Sequence, residues 1–234
     1  MVKISTGVEG LDKMLHGGLI PGRAYLVKGG PGAGKTTLAM HFLMEGAQNG
    51  EKCLYITFEE PVSTLKEDMG NFGFDMEHPN IKLVDATPVG EKKTIFAEVL
   101  YEEFATSFEK LTRAINEEFK DEKYSRVVID PITMMKLTIR DELEYRRIFI
   151  GLLKTISKYN ATIILTSELE ATDIEEYLVS GVIELRVIEE RGKTLRGIKI
   201  TKFRGSTFDE EIRPYRITGK GIEVYHKEVL FHGA

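Results

Sequence analysis

Gly29-Gly30-Pro31-Gly32-Ala33-Gly34-Lys35-Thr36 follows the spacing Gly, four residues, Gly, Lys, Thr. Residues of these types in this order bind phosphate. Glycines let the backbone turn its N–H groups inward around an anion, and a helix starting behind them adds partial positive charge. In such a loop the lysine spans β- and γ-phosphates and the hydroxyl after it offers an oxygen to Mg²⁺. Gly30, Pro31, Gly32, Ala33, Gly34, Lys35, Thr36 and Thr37 are therefore the candidate nucleotide-binding residues, with Lys35 also catalytic and Thr36 a candidate metal ligand.

Carboxylates must stand beside that loop if it is to do chemistry. Arg126-Val127-Val128-Ile129-Asp130 is an apolar run ending in a carboxylate, where a Mg²⁺-holding aspartate belongs. Asp130 is the first candidate; Asp85, which ends the thinner run from Ile81, ranks second. Glu59 and Glu60 directly follow the run Cys53 to Phe58, so one of them can polarise a hydrolytic water, Glu59 being better placed. The same pair also suits the start of a helix at Pro61. Thr166-Ser167-Glu168 ends another run, and the Ser167 hydroxyl can sense a γ-phosphate or simply close a turn.

These groups meet only where strand ends converge. Short apolar runs at Ala24 to Val27, Cys53 to Phe58, Ile81 to Val84, Val127 to Ile129 and Thr162 to Thr166 read as buried strands. Helical patterns fill the gaps: Lys35 to about Gln48, Pro61 to about Phe72, and about Asp141 to Tyr159. A long apolar stripe at steps of three and four joins Ile95, Val99, Leu100, Phe104, Phe108, Leu111, Ile115 and Phe119, which is core packing. Beyond Gly181 the alternation stops. Val182 to Ile188, Leu195 to Lys202 and strands around Tyr215 and Val224 are joined by turns, an antiparallel pattern. The expected fold is α/β, a mostly parallel sheet flanked by helices with an antiparallel C-terminal β extension, in one domain over residues 1–234.

Composition sets outer limits. Of 234 residues, 42% are hydrophobic and only seven are proline, enough to bury a core and too apolar for extended disorder. The net charge of -5 argues against a wholly basic nucleic-acid coat. One cysteine, Cys53, makes no internal disulfide and fits a reducing compartment; with no run of eighteen uncharged apolar residues, the chain reads as cytoplasmic with no membrane contact.

Met1 to Asp12, Gly17-Gly18-Leu19-Ile20-Pro21-Gly22, the phosphate loop, Tyr55-Ile56-Thr57-Phe58-Glu59-Glu60 and Lys202-Phe203-Arg204-Gly205-Ser206 together resemble a single KaiC-type domain of the RecA-like ATPases over nearly the whole chain. The one-domain form is similar to archaeal KaiC-like proteins. That resemblance implies a RecA core, ATP with Mg²⁺ at subunit interfaces, and a hexameric ring. It also implies that Lys202 and Arg204 reach the neighbouring subunit's γ-phosphate as catalytic fingers in trans, for which a point charge and a planar fork are suited. The clock proteins of the family carry two such domains and phosphorylate a Ser-Thr pair ahead of the strand matching Val182 to Ile188. Here Glu175-Glu176-Tyr177 stands at that place, with Thr172 and Ser180 the nearest hydroxyls, so clock function does not carry over.

Other functions use the same loop. Between Arg186 and Lys220 there are ten Lys or Arg against five Asp or Glu, a polarity that suits either nucleic acid in a recombinase-like module or an acidic neighbouring subunit. A regulatory module of this kind would grip a protein instead of nucleic acid, and kinase activity would need only a hydroxyl in place of water. The guanine-reading runs Asn-Lys-x-Asp and Thr-Lys-x-Asp are absent, which leaves adenine as the base.

Overall fold

The computed structural model describes residues 2–87, 108–139, 141–168, 173–190 and 192–230. Six strands form the parallel part of one sheet: β1 (Ala24–Gly29), β2 (Cys53–Thr57), β3 (Ile81–Asp85), β4 (Arg126–Asp130), β5 (Thr162–Ser167) and β6 (Gly181–Glu190). The chain then turns back on itself in β7 (Lys193–Phe203), β8 (Arg213–Thr218) and β9 (Gly221–Val224), each antiparallel to the one before. The order across the sheet is β3-β2-β4-β5-β1-β6-β7-β8-β9. The mostly parallel sheet with an antiparallel C-terminal extension is the architecture expected from the sequence.

Seven helices are described: α1 (Glu9–Met14), α2 (Lys35–Gln48), α3 (Val62–Gly70), α4 (Phe108–Asp121), α5 (Thr133–Thr138), α6 (Glu142–Ser157) and α7 (Asp173–Leu178). Side chains alternate along β1, so Tyr25 and Val27 join a core with α1, α2, α3, β8 and β9, while Leu26 joins α4, α5, α6 and α7 on the other face. β2, β4 and β5 are buried at every position, which is why they read as continuous apolar runs. Asp141 caps α6 by accepting from the Glu144 N–H at 2.7 Å. Of the long stripe, Ile115 and Phe119 on α4 are buried; Ile95, Val99, Leu100 and Phe104, with the side chains of Phe108 and Leu111, lie outside the described residues.

A buried cation ties the far end of the sheet together. Arg126, 2% exposed, opens β4 and forks onto Glu51 at 2.8 and 3.1 Å. Its third nitrogen donates at 2.8 Å to the carbonyls of Ser5 and of Phe42 on α2. The N-terminal segment, the nucleotide-loop helix and the central strand thus share one guanidinium.

Candidate functional site

β1 ends at Gly29 and α2 begins at Lys35, so the phosphate loop spans a strand–turn–helix at the carboxyl edge of the sheet. Gly32 and Gly34 stand at φ 69° and 88°, backbone that side chains resist. A Cβ on Gly32 would meet nothing within 4 Å, so the loop mouth is open there; one on Gly34 would lie 3.0 Å from Ile217 Cδ1. Pro31 and Gly32 are exposed, Ala33 and Thr37 buried. The Lys35 ammonium donates to the Gly29 and Gly30 carbonyls at 2.8 and 3.2 Å, so its charge sits inside the loop it closes.

Asp130 ends β4 beside this loop. Its Oδ2 accepts from the Thr36 hydroxyl at 2.8 Å and from the Tyr55 hydroxyl; its Oδ1 accepts from the Thr166 hydroxyl. A hydroxyl and a carboxylate oxygen side by side at the mouth of an anion cradle are hard donors of the kind Mg²⁺ takes, with phosphate oxygens and water completing its shell. Thr36 and Asp130 therefore fit that ion. Asp85 is level with Asp130 but stands on the far side of β2. Its two oxygens accept from the N–H of Val62 at the start of α3 and from the N–H and hydroxyl of Thr87.

Glu59 and Glu60 leave β2 toward the same edge and differ in surroundings. Glu59 is exposed; Glu60 is half-buried, and burial, then the charges of Asp68, Asp130 and Glu59, raise its carboxyl above the usual range. Ser167 is fully buried against the Thr133 hydroxyl at 3.1 Å, at the end of β5. Loop, Asp130, Glu59, Glu60 and Ser167 thus share one edge of the sheet.

Lys202 and Arg204 do not join them. Lys202 pairs with Val182 and Val182 with Leu26, while the Arg204 N–H donates to Ser180 O and the Ser180 N–H to Ala24 O. Arg204 is therefore level with the first residue of β1. The phosphate loop starts five residues on, about 16 Å along the strand, and about 10 Å across two strand spacings. Both cations rest on the carboxyl end of α7: Lys202 donates to the carbonyls of Glu176 and Tyr177, Arg204 to that of Tyr177 at 2.8 Å. Burial and then the Arg204 charge lower the Lys202 ammonium from its ordinary value.

Several contacts of the site carry no signal in the sequence. The Tyr215 hydroxyl on β8 donates to Ala33 O at 2.7 Å, so the C-terminal extension grips the phosphate loop. Next to it lies a cavity of about 480 Å³ whose lining includes Arg196, Tyr215, Arg216, Ile217 and Tyr225. Arg196 Nε is buried there without a partner among the described residues. At the place of the clock phosphosites, Glu175 is fully buried and accepts from the Tyr145 hydroxyl, while Tyr177 is exposed; Thr172 lies outside the described residues.

A phosphate loop after the first strand of a parallel sheet, with a carboxylate at the end of β4 and antiparallel strands appended, defines a RecA-like nucleotide-binding protein. The family described as "ATPase: KaiC" matches residues 4–229, and the chain belongs to it. It is 30% identical to a UPF0273 protein of Pyrococcus furiosus, over 99% of this chain and 97% of that one. It is also 30% identical to the circadian clock protein KaiC3 of Synechocystis, over 93% of this chain and 44% of that longer protein. Among solved structures, a KaiC-like protein of Pyrococcus horikoshii aligns with a TM-score of 0.80 at 29% identity, covering 95% and 98% of the two chains. Membership of this family gives the chain an ATP-binding, RecA-like function.

Proposed function

We propose that the chain is a Mg²⁺-dependent ATPase that forms one domain over residues 1–234 and works in a ring, each nucleotide lying between two subunits. The observation that carries this reading is the juxtaposition of the phosphate loop, Asp130 and the Glu59-Glu60 pair on one edge, with Lys202 and Arg204 set back from it toward the amino end of β1. Loop amides from Gly30 to Thr37 take the β-phosphate, and Lys35 exchanges its carbonyl partners for β- and γ-phosphate oxygens. The cavity beside Tyr215 gives the nucleoside a place, with Arg196 and Tyr225 in its wall. Thr36 and Asp130 hold Mg²⁺, which supplies neutralisation of charge on the transferred phosphoryl group. Glu59, exposed at that edge, takes the proton of the attacking water, with Glu60 the alternative base beside it; Ser167 senses the γ-phosphate.

Two cations too far from their own loop suit a neighbour's. In a closed head-to-tail ring the edge bearing Lys202 and Arg204 faces the next subunit's phosphate loop, and a hexamer is the expected size. The test is phosphate release from ATP as a function of protein concentration, with Lys35→Ala as control. Specific activity is expected to rise with assembly and to vanish in the variant; full activity in Lys35→Ala would remove the phosphate-loop assignment.

The excess of Lys and Arg between Arg186 and Lys220 favours one second reading, a nucleotide-switched module that grips nucleic acid. Salt-sensitive retention of single-stranded DNA in the presence of ATP would support it. No retention at low salt would leave the basic strands to the neighbouring subunit.

A further inference from the structure

Asp130 is held by more hydroxyls than a metal site requires. Tyr55 sits in the middle of β2, 1% exposed, opposite Val128 on β4, and both belong to the core under α2. Asp130 lies two residues past Val128, so it points to the same face as Tyr55, and the length of the tyrosine ring carries its hydroxyl to the carboxylate. Phenylalanine would fill the same space. A tyrosine oxygen buried this deeply is tolerated only with a partner, and here the partner is the carboxylate oxygen that also faces Thr36. The other oxygen is held by Thr166 on β5, itself fully buried.

We propose that Tyr55, with Thr166 on the opposite oxygen, is a positioning residue for the metal-holding carboxylate: the two hydroxyls fix the rotamer of Asp130 so that Oδ2 faces Thr36 and the mouth of the phosphate loop. The inference rests on the reading of Thr36 and Asp130 as Mg²⁺ ligands. A short carboxylate at a strand end can turn about its two side-chain bonds, and donors from β2 and β5 stop that rotation from both sides. Such hydrogen bonds to a metal-bearing ligand typically matter by about 10–100-fold in metal affinity.

The experiment is equilibrium binding of a fluorescent ADP analogue, titrated with Mg²⁺ and repeated in EDTA. Tyr55→Phe is expected to raise the Mg²⁺ concentration for half-maximal enhancement of binding by about 10–100-fold and to leave affinity in EDTA unchanged. Asp130→Asn should abolish the Mg²⁺ enhancement, and adding Tyr55→Phe to it should change nothing further. Thr166→Val should shift the Mg²⁺ requirement in the same direction, and serves if Tyr55→Phe does not fold. A wild-type Mg²⁺ requirement in whichever variant folds, or an equal loss in EDTA, overturns the inference while a dead Lys35→Ala leaves the phosphate-loop reading standing. Wild-type binding by Lys35→Ala overturns both.

Discussion

Two neighbouring carboxylates, Glu59 and Glu60, separate by environment. Glu59 is exposed, whereas Glu60 faces Asp130 and Asp68 in a half-buried setting. Glu59→Gln is expected to lower kcat by about 10²–10⁴-fold with little change in nucleotide affinity. Rapid-quench measurement of phosphate release beside equilibrium nucleotide binding separates the two effects. Glu60 makes a different prediction. Its raised carboxyl keeps a proton in the folded state where the unfolded chain has lost one, so its contribution falls as pH rises out of the ordinary glutamate range and stays low above the raised value. Glu60→Gln should therefore melt higher than wild type near neutral pH, and the gain should shrink on acidification below about pH 4. A melting gain independent of pH would contradict the assignment.

Strand, turn and helix around the phosphate loop were legible because each rule points the same way: an apolar run, glycines where positive φ is needed, then a helix. Asp130 was legible for the same reason, as the polar end of a buried strand. The contacts that steady them were not. Tyr55 reads as one more core aromatic, Tyr215 lies 182 residues from Ala33, and Arg126 lies 121 from Ser5, so pairing of distant segments decides their partners. The six-residue helices α1, α5 and α7 escaped because one and a half turns show little periodicity. Two predictions belong to this scale. Arg126→Met strands Glu51 and two carbonyls, and should cost about 3 kcal/mol or more in urea unfolding. His41 on α2 accepts the Ile222 N–H of β9 at 2.9 Å, and burial pushes its imidazole down to about 4. The unfolded chain protonates first, so this contribution is present above about pH 6.5 and is lost as pH falls toward the folded value. His41→Gln should flatten that part of the melting-temperature profile between those limits; an unaltered profile would show that His41 carries none of it.

The molecule as a whole presents two unlike edges. The carboxyl edge holds the phosphate loop, Asp130, Glu59, Glu60 and Ser167, while Arg204 lies level with the start of β1 and Lys202 with its third residue, both resting against α7. If those cations serve a neighbour, two inactive proteins can repair each other. Lys35→Ala retains the fingers, and the double variant Lys202→Ala, Arg204→Ala retains the loop. An equal mixture of the two, allowed to exchange subunits, should recover roughly one quarter of wild-type turnover, the share of interfaces that pair an intact loop with intact fingers. Mixtures that stay silent although mass spectrometry finds mixed rings would rule out action across the interface.

The spacing between those edges has a physiological corollary. If those cations act across the interface, a solitary subunit would own every part of the reaction centre and still be unable to close it, because the register of its described strands holds the cations away from its own phosphate loop. Dilution would then act as the off state, and abundance of the protein in the cell would set the rate at which each copy consumes ATP.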